Sequence, residues 1–169
     1  PESIKLAGAQ RGAEAARLLA KAAGAEGMVG GQVIDLQHEN QRAPIEVLLE
    51  MDRKKTGALI QAAAQMGCAV AGADQKQREA AVEYAACVGL AFQIRDDILD
   101  VISDPETLGK PVGSDDKNEK STYVSLLGME KAQQLVNELT QQAESALSAF
   151  SEDTAFLREF AQSLANRGY

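Results

Sequence analysis

Phe92-Gln93-Ile94-Arg95-Asp96-Asp97-Ile98-Leu99-Asp100 places three aspartates within five residues. The surrounding segment reads as helix from about 79 to 102. Spacings of three and four residues then put Asp97 and Asp96 each on the same side as Asp100. Helix formation gives no reason for this. Asp is a poor helix former, and like charges at helical spacing repel by roughly 0.2–0.5 kcal/mol per pair. The apolar residues Val88, Leu90, Phe92, Ile94, Ile98, Leu99 and Val101 mark a helix that is largely buried. Carboxylates clustered on such a helix need a cation, and a hard, oxygen-seeking ion such as Mg²⁺ suits them.

The rest of the chain agrees with a helical fold. Hydrophobic residues make up 45% of the 169 residues and aromatics only 4%. Ala, Leu, Gln, Glu and Lys dominate, with few of the β-branched and aromatic residues that strands favour. The length suits a single domain or a piece of one. The formal net charge of −8 argues against a nucleic-acid partner, which would require a basic face. No apolar run reaches transmembrane length and no signal-peptide pattern opens the chain. Cys68 and Cys87 stand outside any Cys-x-x-Cys spacing in Ala-rich surroundings, and read as reduced, buried residues of a cytoplasmic protein. His38 reads as surface decoration.

Helices are expected at about 3–23, 27–36, 45–71, 79–102, 129–150 and 152–166, with no strand anywhere. Pro44 suits the first turn of the third, Gly72 its stop, and Ser151 the cap of the last. The fifth carries Leu135, Leu139, Ala143, Ala146 and Phe150 on one stripe. The stretch 103–121, rich in Asp, Gly, Pro and Lys, reads as a long ordered loop of functional kind.

Lysines complement the aspartates. Gly109-Lys110-Pro111 and Lys120-Ser121-Thr122-Tyr123 bracket the loop. Lys is a point-charge ligand for phosphate, and a helix starting near Thr122 offers backbone N–H groups to an anion. Lys55 and Thr56 lie deep inside a helix among apolar residues. Of the three consecutive bases, Lys55 is expected to point inward toward an anionic partner, with Arg53 and Lys54 on an exposed stripe. Gly57 has no cap to make and suggests close approach of a ligand or another helix. Gln32, Asp35 and Gln93 are polar residues in apolar helical stretches. Carboxylates for Mg²⁺ and lysines for a polyanion imply a phosphate or diphosphate ester as substrate.

The motif Phe92-Gln93-x-x-Asp96-Asp97-Ile98-Leu99-Asp100 resembles the second aspartate-rich motif of the trans-prenyl diphosphate synthases, the polyprenyl synthetase family. Gly30-Gly31-Gln32 with Asp35, Lys55-Thr56-Gly57, Gly109-Lys110 and Lys120-Ser121-Thr122-Tyr123 follow in that family's order and spacing. The likeness is to the C-terminal part of bacterial short-chain members. It implies an all-α isoprenoid-synthase-type bundle and Mg²⁺-dependent condensation of isopentenyl diphosphate with an allylic diphosphate. By the same resemblance, Asp96 and Asp100 would ligate Mg²⁺, with Asp97 adjacent. Lys55, Lys110 and Lys120 would hold the allylic diphosphate. Thr56 and Gln93 would direct oxygen dipoles at the allylic cation, Gln32 would line the same cavity, and Arg167 would lie near isopentenyl diphosphate. The full-length protein would be a cytoplasmic homodimer.

The family's first aspartate-rich motif does not occur in these residues, and the chain opens on Pro1 at helix-like composition. The expectation is a single all-helical domain, 1–169, lacking its N-terminal helices and unable to turn over substrate at a normal rate by itself. A class I terpene cyclase is the competing enzyme reading, but no Asn/Ser/Glu metal motif follows Asp100, and cyclases lack counterparts of Lys55-Thr56. A non-catalytic helical subunit is the remaining alternative.

Overall fold

The computed structural model describes residues 7–102 and 121–168. Lys110, Lys120 and the loop reading for 103–120 lie outside them. The described residues form α1 (Ala9–Ala23), α2 (Met28–Gln37), α3 (Ile45–Asp52), a π turn (Arg53–Gly57) and α4 (Ala58–Ala71). Then follow α5 (Gln75–Ile102), α6 (Tyr123–Leu127), α7 (Met129–Ala146), a 3₁₀ turn (Leu147–Ala149) and α8 (Ala155–Asn166). The architecture is all-α, with no strand among the described residues.

The 28-residue α5 is the axis of the fold. It packs against α4, α7, α8, α6 and the π turn, while α1 packs on α4 and α2 on the π turn. Ile94 and Ile98 are fully buried, at 0% exposure, and join Leu48, Met51, Tyr123 and Leu147 in one core. Many of its other members are alanines, which lets helix axes approach closely. α5 and the π turn meet where Gly89 lies against Gly57. A Cβ on Gly89 would sit 3.6 Å from the Gly57 Cα and 3.3 Å from Ile60 Cδ1. The close approach expected at Gly57 is therefore that of another helix.

Several boundaries differ from expectation for local reasons. α5 begins four residues earlier, where the Asp74 carboxylate accepts from the Gln77 N–H at 2.8 Å. The last helix begins at Ala155 rather than 152. Ser151 donates to Glu152 instead of capping, and Asp153 accepts from the Ala155 N–H at 2.8 Å. Val101 is half exposed, so the buried face of α5 stops at Asp100. On α7 the fully buried stripe is Ala132, Val136, Leu139 and Ala143, with Leu135 and Ala146 at its edge. His38 is not mere decoration: it is the C-cap of α2, and its Nδ1 donates to the Ile34 carbonyl at 2.9 Å. Gly72 stops α4 in the left-handed region at φ 77°.

Cys68 and Cys87 are free and buried. Burial pushes both thiols up, helped at Cys87 by the charge of Glu83. Both should therefore react with a disulfide reagent at neutral pH at least about tenfold more slowly than in denaturant, because little thiolate is present and access is restricted. Fast native labelling, read by thiol absorbance, would contradict this.

Candidate diphosphate and metal site

The site begins at the π turn. A π turn takes i→i+5 hydrogen bonds, is rare, and often marks functional positions. It spreads the consecutive residues Arg53, Lys54, Lys55 and Thr56 over three neighbours, the first two sharing one. Arg53 reaches back to both oxygens of Glu50 at 2.8 Å, and Lys54 Nζ lies 3.1 Å from Glu50. These two bases hold Glu50 below the usual carboxylate range. Lys55 turns the other way, with its Nζ 2.7 Å from Asp35 Oδ2 on α2. Thr56 Oγ1 donates to Gln93 Oε1 on α5 at 3.0 Å.

α2 can approach Lys55 only because of Gly31. A Cβ there would lie 2.2 Å from the Lys55 nitrogen and 2.6 Å from its Cα. The neighbouring Gln32 is exposed on α2. Gly31 and Asp35 occupy one face of α2 at i, i+4 spacing, so the glycine that admits the π turn and the carboxylate that pairs Lys55 act together.

Gln93 stands one turn before Asp96 on α5, about 4.5 Å along the axis. The three aspartates have separate environments. Asp96 is exposed and ion-paired with Arg167. Asp97 Oδ2 accepts from the Tyr123 N–H at 2.7 Å. Asp100 is 4% exposed. The helix start near Thr122 is thus not open to an outside anion at Tyr123, because Asp97 already occupies it. Thr122 and Ser125 close the remainder with a capping box.

Ser121 is buried, and its Oγ accepts from the Ala43 N–H at 2.8 Å. The chain entering α6 is thereby tied to the loop before α3. Tyr123 is 1% exposed and lies near the carboxylates of Asp52 and Asp97. Burial, then the negative charge of nearby Asp52, then Asp97, push its phenol well above the ordinary value. Tyr123 therefore stays protonated.

Mg²⁺ is usually held through one or two carboxylates plus phosphate oxygens. Asp96 and Asp100, four residues apart on α5, supply hard oxygen donors of that kind, so the donor set fits the ion. Among the described residues no three His, Cys, Asp or Glu side chains converge as a ready-made cage. Substrate oxygens would complete the coordination.

Two participants, Asp52 and Arg95, have no counterpart in the sequence reading. Asp52 is 7% exposed; its only signal was a charge following apolar Leu48 and Met51. Arg95 donates through Nε and Nη2 to the Arg167 carbonyl at 3.0 and 2.7 Å. An arginine in a mostly buried helix was the available hint. Arg167 was expected near the second substrate, and the structure seats it on Asp96, over the Phe92 ring at 4.1 Å.

The chain is similar in sequence and fold to known proteins. The chain is 44% identical over 154 residues to farnesyl diphosphate synthase of Escherichia coli (strain K12), covering 88% of this chain and 51% of that protein. It is 47% identical over 116 residues to farnesyl diphosphate synthase of Geobacillus stearothermophilus, covering 69% and 39%. The geranyltransferase of Helicobacter pylori, solved with magnesium and isoprenyl diphosphate, matches with a TM-score of 0.76 at 31% identity, over 94% of this chain and 52% of that one. The chain spans about half the length of the E. coli relative. The profile of the polyprenyl synthetase family matches residues 3–155, and with the motifs and fold above it establishes that the chain belongs to that family.

Proposed function

We propose that this chain carries the lysine- and aspartate-bearing part of a prenyltransferase that condenses isopentenyl diphosphate with an allylic diphosphate. The observation that supports the reading is the junction of the π turn with α5. Thr56 is bonded to Gln93 at 3.0 Å on the helix face that continues to Asp96, Asp97 and Asp100, with Lys55 next to it in sequence.

Asp96 and Asp100 would hold Mg²⁺, with Asp97 beside them. Bound Mg²⁺ supplies positive charge to the departing diphosphate. Lys55, Lys110 and Lys120 hold that diphosphate and stabilise the charge it gains as the allylic carbon–oxygen bond breaks. The Thr56 and Gln93 oxygens face the carbocation left behind, and Gln32 lines the same cavity. Ala-rich helix walls exclude water from it. The released diphosphate takes the proton that completes the condensation, so no side-chain base is needed. Arg167, once off Asp96, serves the second diphosphate. A cytoplasmic homodimer of the full-length protein belongs to this reading; the exposed Val29, Val33 and Leu36 along α2 support a partner surface.

Titration calorimetry of the 169-residue chain with inorganic diphosphate tests the proposal. Saturable binding is expected with Mg²⁺ and at least about tenfold weaker binding without it. Asp100→Asn should weaken the Mg²⁺-dependent binding by roughly 10- to 100-fold, the range for disturbing a metal's ligand set. Binding indifferent to Mg²⁺ and to this substitution would defeat the reading.

A further inference from the structure

Arg167 follows α8, yet four contacts tie it to one turn of α5. Its guanidinium pairs with Asp96 and lies 4.1 Å from the centre of the Phe92 ring. Its Nη2 also approaches the Phe92 carbonyl at 3.4 Å, and its own carbonyl takes the two hydrogen bonds from Arg95. The fit is incomplete: the buried Nε has no hydrogen-bond partner among the described residues. An unmatched buried donor is unfavourable, and here the attraction of Asp96 offsets it.

We infer that Arg167 is a resident counter-ion of the aspartate cluster, one that the divalent cation displaces, and that its displacement releases the Arg167 side chain from its seat on the Phe92 ring. The inference rests on the metal reading proposed above. In the metal-free chain, Arg167 neutralises the most exposed of the three aspartates. A divalent ion together with diphosphate brings a stronger, hard-oxygen partner to the same carboxylate, and like charges crowd the arginine out. Without Asp96, the guanidinium keeps the Phe92 ring and a long carbonyl contact, with its Nε still unmatched. The Arg95 anchor then holds the backbone alone. Arg95 is in this sense a positioning residue: it keeps Arg167 within reach of Asp96.

Two readouts test this on the 169-residue chain, with MgCl₂ titrated at fixed inorganic diphosphate. The first is the Arg167 Nε–H resonance, identified by its absence in Arg167→Ala. In the metal-free chain it should be shifted by the Phe92 ring and slow to exchange with water. At saturation it should lose the ring shift and exchange at least about tenfold faster, as burial is lost. The second is Mg²⁺ affinity by calorimetry, which should rise about fivefold in Arg167→Ala, the lower end of usual coupling between competing ligands. Arg95→Gln keeps the Arg167 guanidinium but loses the bidentate carbonyl anchor together with one positive charge next to Asp96, and should give a smaller rise in the same direction. It also serves if Arg167→Ala folds poorly. If Mg²⁺ binds while the Nε–H signal stays unmoved and affinity is unchanged or weaker in the variants, the counter-ion inference fails and the metal reading stands. If neither wild type nor variants bind Mg²⁺ with diphosphate, both fall.

Discussion

Gly31→Ala is expected to destabilise the chain by about 3 kcal/mol, the upper end of the usual range for overpacking a core. The added Cβ would meet Lys55 backbone atoms, the nitrogen at 2.2 Å. Backbone cannot rotate aside as a side chain can, so α2 must move away from the π turn. For a chain of this size the loss corresponds to roughly 6–12 °C in Tm. Moving α2 also carries Asp35 off Lys55, so diphosphate affinity should fall with stability. Gly67→Ala is the control. Gly67 is exposed in α4 with nothing within 4 Å of an added Cβ. Alanine there should stabilise by about 0.5–1 kcal/mol through helix propensity alone. Urea melts of both variants check the pair. A neutral Gly31→Ala would mean that α2 and the π turn are not in contact.

Lys55→Ala is expected to weaken Mg²⁺-dependent diphosphate binding by roughly 10- to 150-fold, equivalent to losing one charged hydrogen bond of about 1.5–3 kcal/mol. Arg53→Ala should change it little, because that guanidinium is committed to Glu50 on the other side of the turn. Lys55→Arg should not restore full affinity. The ammonium is a compact point charge, whereas the planar fork of arginine is larger and needs different geometry. Equal affinities for wild type and Lys55→Ala would remove Lys55 from the site and leave its pairing with Asp35 purely structural.

Periodicity and end signals made much of the fold legible. The apolar spacing around Ile94 and Ile98 located α5 and its buried side. Gly72 marked the end of α4, and Pro44 stands at the N-cap of α3. Residue type alone announced that Asp96, Asp97 and Asp100 were costly to place together. What it could not give was the partner of each. Asp97 meets the Tyr123 N–H across 26 positions, and Arg95 meets the Arg167 carbonyl across 72. Neither separation leaves a trace in local spacing. The π turn was also hidden, because Arg53-Lys54-Lys55-Thr56-Gly57 has no sequence signature separating i→i+5 from i→i+4 bonding. Only packing against Gly31 and Gly89 selects it. Val101 was misread because hydrophobicity does not say where a helix runs off the edge of its neighbours.

The π turn also bears on descent. It amounts to one extra residue spliced into a helix that would otherwise run unbroken from Ile45 to Ala71. Flanking helices absorb such a splice without changing their own seats, since only the turn between them widens. Loss of a single codon between Asp52 and Lys55 would leave an ordinary α-helix of nearly the same length and hydrophobicity. It would also swing Lys55 by about 100° relative to α3, the angle per residue of an α-helix. Fold and chemistry can therefore part company here by one small deletion. A descendant lacking that codon could keep the bundle and lose the lysine's aim.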